Sequence, residues 1–513
     1  MEPADTRSDD LQTLHRLGYA QELLRRMSGF SNYAISLSII CILAGGITSF
    51  QQGLCSVGGA SIGLGWPLVS LFALAVAAAM GQIASAFPTA GGLYHWASIL
   101  GGRGWGWVTA WFNLIGLVSV LAAINVGAYD FLSSTVLPQF HLFPQALGED
   151  AEWKIKVFWV VLTTFSQALF NHLGIRIVTK LTDFSGWLIL VVSVVLTGSL
   201  FFWSQHLDLA RLVTFTNFSG IPESAAVWPR SSSLLWLFLL SFLLPAYTIT
   251  GFDASAHTSE ETVGASENVP RGMVRSVVVS GIFGWVMLSA AILAAPSLDA
   301  AAEEGSGAFG WILAKVLPEA LNKALLVGIV VAQYLCGLAT VTSASRMLFA
   351  FARDGGLPFS SRLRHVSLRR RTPPAAVWTA ALAAVLFSVY TPLYTTITAV
   401  STICLYISYA IPIALGFFAF GRTWTQMGPW SLGAWYRPLA AVSVAGCLVL
   451  IAIGIAPPNE LTIVILAGIL LVLGVIWFAV ERRRFPGPPL GGLDPGRQKA
   501  IRQAELAVGE AQA

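Results

Sequence analysis

Residues Gly251–Glu261 read GFDASAHTSEE and place four ionisable side chains in an apolar run that begins near Leu234. A charged side chain near the centre of a bilayer costs about 2.5–3.5 kcal/mol on insertion scales. The glycine two residues before Asp253 allows a helix to open. Opened backbone is tolerated at membrane depth only inside protein or along a wet cavity. We therefore expect a broken membrane helix at a solute site.

The alternative for this stretch is a helix that simply ends at the membrane interface, with its acidic groups in water. That description suits Glu260 and Glu261, which we expect at the interface. Asp253 lies far into the apolar run, so we expect its carboxylate inside the protein.

The composition is that of a membrane protein. Of the 513 residues, 55% are hydrophobic and 11% are charged, whereas soluble domains carry about 25% charged residues. The five cysteines fall in or beside apolar runs without CxxC spacing, which indicates small core residues and no metal site. The histidines form no HxxxH pair and no GxxxxGKS or GxxxxGKT loop occurs, which argues against an enzyme and against an ATP-driven pump. We expect no cofactor and no nucleic-acid partner.

Apolar runs of about 20 residues, the length that crosses a bilayer, recur along the chain and predict an all-α integral membrane protein with twelve transmembrane helices. They lie near 30–53, 67–87, 104–132, 155–174, 184–204, 234–256, 273–296, 324–351, 374–393, 395–420, 437–456 and 460–480.

The distribution of positive charge predicts the orientation. If the N-terminus is cytoplasmic, only six of the 30 lysines and arginines fall in outer loops, as the positive-inside rule requires. We expect a cytoplasmic segment 1–28, a twelve-helix membrane domain 29–480 and a cytoplasmic tail 481–513, in the plasma membrane. We expect the Pro- and Gly-rich tail beyond Phe485 to be disordered.

Two spans carry interruptions. Span one contains Gly45-Gly46 near its centre and span six contains Gly251, five helices later. Interrupted helices at matching positions indicate an inverted repeat, here about 30–204 and 234–420. The glycine pair could instead serve helix packing. The arginine of ARDGGLPF (Ala352–Phe359) is either ordinary inside-loop charge or part of an inner gate.

Three motifs together resemble the amino acid–polyamine–organocation transporters, and more narrowly their amino acid/choline permease branch. They are FPTAGGLYHW after span two, GFDASAHTSEET in span six with Pro270-Arg271 beyond it, and SRMLFAFARDGGLP after span eight. The resemblance implies a five-plus-five inverted repeat with two extra helices, and a site between broken spans one and six. It also implies a secondary carrier of small amines or amino acids. Gln82, His95 and Leu117 depart from the pattern we expect of the family.

A zwitterionic amino acid suits two broken helices. Its carboxylate can meet the free amides of a half-helix beginning after Gly46, and its ammonium can meet the carbonyl ends of the preceding half-helices. We predict that Thr250, Gly251 and Asp253 lie near the amine, and that Phe252 is either an aromatic lid or a packing residue. The predicted carboxylate side consists of Ala44, Gly45, Gly46, Ile47 and Thr48.

The sequence leaves ion coupling open between protons, sodium and exchange. His257 is either a proton carrier, since its unperturbed pKa lies near 6.5, or an ordinary hydrogen-bonded histidine. A sodium site would need carbonyls of span one and hydroxyls of span eight, where Thr342 and Ser343 are candidates with Thr340 and Ser345. We favour protons.

The substrate prediction is a small amino acid such as gamma-aminobutyrate or an α-amino acid, moved by alternating access. A choline- or polyamine-type cation is the alternative, since Phe252 and Tyr247 could contribute to an aromatic cage. A passive channel is a more distant alternative, because neither a ring of one charge nor a carbonyl filter is visible. Asn113 and Asn125 in span three are expected to make structural hydrogen bonds.

Overall fold

The computed structural model describes residues 3–140, 149–204, 207–221, 227–391, 394–489 and 495–509. Within these ranges the secondary structure is helical and contains no strand, apart from two isolated bridges, Met27 to Thr262 and Phe420 to Trp424. The all-α prediction is confirmed. 

The helices up to the end of the second interrupted segment are α1 (Pro3–Arg16), α2 (Gly29–Ile39), α3 (Phe50–Val57), α4 (Trp66–Ala86), α5 (Leu93–Gly101), α6 (Arg103–Phe131), α7 (Leu137–Gln139), α8 (Glu149–Leu173), α9 (Ile175–Trp203), α10 (Leu234–Ser241), α11 (Leu243–Thr248) and α12 (Ala254–His257). The remaining helices are α13 (Ala265–Ala294), α14 (Leu298–Glu303), α15 (Ala308–Val316), α16 (Glu319–Arg353), α17 (Ser360–Leu363), α18 (Pro374–Tyr390), α19 (Tyr394–Ala419), α20 (Tyr436–Ile455), α21 (Glu460–Ile476), α22 (Arg482–Arg484) and α23 (Pro495–Val508).

In the described part of the chain, nine helices are long and apolar enough to cross a membrane. Two shorter apolar helical stretches, Leu234–Thr248 and Pro374–Tyr390, accompany them. The predicted segment 155–174 lies in α8, which is helical but is not among the nine. The fold is therefore that of a multi-pass helical membrane protein.

The two interrupted segments lie at the centre of the bundle. Helix α2 packs against α9, α13 and α16, while α13 runs along α4. Helix α19 packs along α6 and α20 and also contacts α11. These contacts place the breaks among helices from both halves of the chain.

Residues 495–508 of the C-terminal tail do not match the predicted disorder. Residues 495–508 form α23, and Arg497 Nε donates to the carbonyl of Gly18 at 2.8 Å. Glu505 is buried, accepts from the Gln21 amide at 3.1 Å and lies 2.6 Å from His15 Nε2. These residues are ordered because they pack on the N-terminal segment, a contact that composition alone does not reveal.

Candidate functional site

The second interruption is built around Gly251. Helix α11 ends at Thr248 and α12 begins at Ala254, and Gly251 has a φ of +89°. A Cβ atom at this position would overlap Cγ2 of Ile39, the last residue of α2. The Gly251 amide, which no helix partner serves here, donates to the Tyr409 hydroxyl at 3.1 Å. Glycine is thus required both by the backbone conformation and by the approach of α2.

Asp253 is fully buried in the turn that Gly251 opens. Its carboxylate accepts from Asn113 Nδ2 at 3.0 Å and from the Tyr409 hydroxyl at 2.8 Å, and it lies 3.2 Å from His257 Nε2. A buried carboxylate is tolerated when it is paired and hydrogen-bonded. The buried position of Asp253 agrees with the prediction that its carboxylate lies inside the protein.

His257 faces two hydrogen-bond acceptors. Its Nε2 points at the Asp253 carboxylate and its Nδ1 lies 3.3 Å from the carbonyl of Ala90. A neutral imidazole has one N–H donor, whereas an imidazolium has two. Only the protonated ring can donate to both oxygens at once.

Helix α2 holds the opened backbone of the second interruption. Ser36 Oγ donates to the carbonyl of Phe252 at 2.8 Å and accepts from the Ser255 amide at 3.0 Å. Asn32 Nδ2 donates to the carbonyl of Ser255 at 3.0 Å. The two interrupted segments are therefore joined by side chains of α2 that replace lost helical hydrogen bonds.

The first interruption lies earlier than predicted. Helix α2 ends at Ile39, and a helical turn restarts at Ile42 and runs through Gly46. The amide of Gly45 donates to the Cys41 carbonyl at 2.9 Å, so the glycine pair lies inside this turn and not at its start. The expectation of a half-helix beginning after Gly46 is wrong, and the free amide end is at Ile42.

The predicted carboxylate-side residues line the contact with α11. Added Cβ atoms at Gly45 and Gly46 would lie 3.0 Å from Thr248 Cα and 3.7 Å from Leu288, respectively. Thr48 Oγ1 donates to the Ala44 carbonyl at 2.8 Å and lies 2.9 Å from the Tyr394 hydroxyl. The close approach of Gly45 to Thr248 gives the glycine a packing role as well. Ile47 is buried.

Phe252 and Thr250, in the second interruption between α11 and α12, are buried. The Phe252 ring packs on Tyr409 with centroids 5.1 Å apart, and Thr250 Oγ1 donates to the Tyr247 carbonyl at 2.6 Å. Packing therefore accounts for Phe252 in this conformation.

Glu260 and Glu261 are not at a wet interface, contrary to the prediction. Both are fully buried. Arg346 donates to both oxygens of Glu261 at 2.8 and 3.0 Å, and Arg353 donates to both oxygens of Glu260 at 2.9 and 3.0 Å. Bidentate arginine–carboxylate pairs are strong and directional, and here they satisfy charges that could not otherwise be buried.

The N-terminal segment closes over these ion pairs. Arg25 donates to the carbonyl of Thr262 at 2.6 Å, and the amide of Met27 donates to the carbonyl of Glu261 at 2.8 Å. The Tyr19 hydroxyl donates to Asp354 at 2.7 Å. Burial raises the pKa of Tyr19 well above its usual value, and the Asp354 charge adds to this rise.

Asp354 lies just beyond the end of α16. It also accepts a hydrogen bond from the Tyr94 hydroxyl at 2.9 Å. Burial raises the pKa of Asp354, while Arg353 and the two tyrosine hydroxyls lower it. The end of the helix bundle that the N-terminal segment covers, here called its N-terminal face, is thus closed by buried charges, most of which are paired.

The predicted coupling hydroxyls of span eight do not face the first interruption together. Thr342 Oγ1 donates to Asn171 Oδ1 at 2.7 Å, on the side of α8. Ser343 Oγ is buried without a hydrogen-bond partner in the described part of the chain. The α16 side chains that reach the break are Cys336, whose thiol lies 3.4 Å from the Ile39 carbonyl, and Gln333, which donates to the Leu43 carbonyl at 3.3 Å.

The comparison with known proteins decides the family. The sequence model of a family described as amino acid permease matches residues 27–479. The chain is 32% identical to the amino-acid permease BAT1 of Arabidopsis thaliana over 93% of this chain and 95% of the relative. It is also 32% identical to the BAT1 homolog of Oryza sativa subsp. japonica, over 93% of this chain and 94% of that protein. The chain belongs to the amino acid permease family. 

A more distant relative of the permease, at 26% identity, is the GABA-specific permease of Saccharomyces cerevisiae, with coverage of 96% of this chain and 88% of the relative. The family resemblance predicted from the three motifs is confirmed. The relatives are named as permeases, so the protein is a transporter and not an enzyme.

Sequence reasoning missed Tyr409 of the permease. This tyrosine joins the Gly251 amide to Asp253, but it lies on α19 in an apolar stretch that carries no local signal. Asn113 was predicted to make a structural hydrogen bond, and it does, to Asp253 and to Ser408. Asn125 likewise bonds within the bundle, to Thr164 at 2.8 Å.

Proposed function

We propose that the permease is a secondary active transporter that moves a small amino acid by alternating access, with the substrate held between the two interruptions. The observation that carries the proposal is the direct apposition of the two helix breaks at Ile39 and Gly251. Helix breaks at membrane depth expose backbone groups that can bind a polar solute. The named activity of the relatives supports amino acids as the substrate class.

The amides at the start of the turn Ile42–Gly46 are the proposed carboxylate site. The N-terminal end of a helix carries partial positive charge and unpaired N–H groups. This moves the site toward Ile42, while Ala44, Gly45, Gly46, Ile47 and Thr48 remain its proposed wall. The close contact between Gly45 and Thr248 brings this wall to the second break.

The amine is proposed to lie beside the opened turn at Thr250, Gly251 and Asp253. Carbonyl groups at the end of α11 and the negative field of Asp253 favour a cation there. Since Asn113, Tyr409 and His257 already bind the carboxylate, we propose that Asp253 acts mainly by setting the field and the shape of the turn.

We further propose twelve spans in two inverted repeats, 30–204 and 234–420, followed by two extra helices. The contact between His15 on α1 and Glu505 on α23 supports an even number of crossings, because it places both ends of the permease on one face. The bias in positive charge makes this face the cytoplasmic one. Segments 1–28 and 481–513, which flank the domain 29–480 in sequence, are therefore both proposed to be cytoplasmic. The plasma membrane is the proposed location.

Protons are the proposed coupling ion, carried by the pair of Asp253 and His257. Both His257 nitrogens face oxygen acceptors, so a ring that takes up a proton here can donate to both oxygens, and this supports the proposal. Sodium is less favoured, because Cys336 and Gln333 occupy the carbonyls of the first break. Thr342 faces α8, and Ser343 remains the one proposed hydroxyl for an ion.

An organic cation is the second candidate substrate. The rings of Phe252 and Tyr406 lie 5.1 and 5.7 Å from that of Tyr409, close to the Asp253 carboxylate. Aromatic faces around an acid suit a quaternary ammonium, which cannot donate hydrogen bonds. A passive channel is disfavoured by the buried ion pairs that close the N-terminal face.

The test has two steps. Thermal melts of the purified permease are measured with amino acids, gamma-aminobutyrate, choline and polyamines, and uptake of the stabilising ligand is then measured in proteoliposomes. A ligand of the folded protein raises its apparent stability by RT ln(1 + [L]/Kd). Stabilisation by zwitterions, followed by uptake driven by a pH gradient, is expected. Stabilisation by cations alone would transfer the assignment to the organic-cation alternative.

The coupling proposal has its own variant. His257→Gln is expected to lose uptake driven by a pH gradient while keeping exchange of labelled for unlabelled substrate. His365→Gln is the matched control, because His365 is exposed in a loop. Gradient-driven uptake by His257→Gln at the control rate would remove His257 from coupling.

A further inference from the structure

A cleft between α6 and the end of α21 lies outside the transport site. Its volume is about 530 Å³, within the range of small-molecule sites. The walls are aromatic and aliphatic, and include Trp105, Trp107, Phe112, Leu470, Leu473, Trp477 and Phe478. Trp105 and Phe478 are largely exposed, at 52% and 71%. Only 6% of the residues in the most apolar window of Glu460–Arg484 are buried, so this helix faces the lipid and the cleft opens toward it.

Glycines create the space in this cleft. A Cβ added at Gly102 or at Gly474 would have no atom within 4 Å. Gly104 packs against the Trp477 ring, whose centroid lies 5.3 Å from that of Trp107. The floor of the cleft is thus two indole rings in contact, with their planes tilted by 43°. Its sides are kept open by residues without side chains.

One end of the cleft is positively charged. Arg103 lines it, and its guanidinium donates to the carbonyls of Phe485 at 3.1 Å and Arg482 at 3.2 Å. These two bonds fix the guanidinium in place and leave three of its five N–H donors for a ligand. Arg482 and Arg483 come directly after the helical segment Trp477–Glu481 in sequence. Both are exposed and have no ion-pair partner within the described ranges.

We propose that this cleft, between α6 and α21, binds one anionic phospholipid, with an acyl chain against Trp107 and Trp477 and the phosphate at Arg103. The charge at one end and the apolar length behind it match the two parts of such a lipid. Tryptophans are common where membrane proteins meet the headgroup layer, and basic pockets between helices on the cytoplasmic side bind acidic headgroups. An acyl chain alone would not require the arginines, and a free phosphate would not require the apolar walls.

The test uses the whole permease in detergent with phosphatidylglycerol or with phosphatidylcholine of the same acyl chains. Native mass spectrometry counts retained lipids, and thermal melts report the stabilisation each lipid gives. One retained phosphatidylglycerol and a larger thermal shift than with phosphatidylcholine are expected. Equal retention and equal shifts for the two lipids would overturn the proposal.

Two pairs of variants locate the site. Gly474→Leu fills the cleft and is expected to lose the retained lipid, whereas Gly468→Leu, also in open space on α21 but not lining the cleft, keeps it. Both changes improve helix propensity, so neither should unfold α21. Arg103→Gln is expected to weaken phosphatidylglycerol binding about tenfold, while Arg103→Lys retains the preference for it.

Other occupants give distinct results. If a second copy of the chain fills the cleft, wild type is dimeric and Gly474→Leu is monomeric, with no dependence on the lipid headgroup. If Gly474→Leu and Gly468→Leu retain phosphatidylglycerol equally, the lipid binds elsewhere. Either outcome refutes the assignment.

Discussion

Replacing Gly251 by alanine tests whether the two helix breaks are physically locked together. An L-residue in the left-handed region costs about 1–2 kcal/mol. The new Cβ would also overlap Ile39, and overpacking of a core typically costs about 1–3 kcal/mol. The two terms together predict a loss of about 2–5 kcal/mol, concentrated where α2 meets the turn before α12.

The assay is a thermal melt of purified Gly251→Ala beside uptake in proteoliposomes. Gly198→Ala is the control, because a Cβ there has no atom within 4 Å and the residue lies in a regular helix. We expect the control to melt at or slightly above wild type and Gly251→Ala to melt clearly below it, with reduced uptake. If Gly251→Ala melts with the control, the backbone at Gly251 is not held against Ile39 and the reasoning fails.

Three further predictions concern buried charges. Arg346→Met leaves Glu261 unpaired and is expected to cost about 3–5 kcal/mol, much of it recovered in the double variant with Glu261→Gln; additive losses in thermal melts would contradict this. Asp253→Asn keeps the shape of the turn but weakens its charged hydrogen bonds, so uptake should fall about tenfold or more without loss of folded protein, and near-normal uptake would remove Asp253 from the site. Because the pKa of Asp354 is raised in the folded state, its stabilising contribution is full below the unfolded value near 3.9 and is lost as pH rises through the raised value. Melts across pH should therefore show wild type losing stability relative to Asp354→Asn as pH increases, and a constant difference would exclude the effect.

The break in span six could be predicted because its cause is local. Gly251 and Asp253 lie two residues apart in an apolar run, and the structure opens the helix at this glycine. The break in span one was placed too late, because a glycine pair is a visible signal while Ile40 and Cys41 are ordinary helix residues by sequence. The break there is accompanied by tertiary contacts that the sequence does not show, including the contact of the Cys336 thiol with the Ile39 carbonyl.

Long-range partners explain the other differences. Glu260 and Glu261 were assigned to water because the helix was expected to end at the membrane interface there. Arg346 lies 85 residues beyond Glu261, and Arg353 lies 93 residues beyond Glu260. The order of α23 similarly depends on contacts with the opposite end of the chain. Composition and periodicity indicate which segments enter the membrane, but not which charges meet inside it.

The separation between Glu261 and Arg346 also bears on how the protein is made. At about 5–20 residues per second, a ribosome needs roughly 4–17 s to synthesise the 85 residues between them. During this interval the acid has emerged without its partner, while α13 is already available for insertion. The carboxylate must therefore remain hydrated until α16 arrives, so this face is sealed only after most of the chain has left the ribosome. A nascent chain that stalls before Arg346 would present an unneutralised acidic turn to quality-control factors of the membrane.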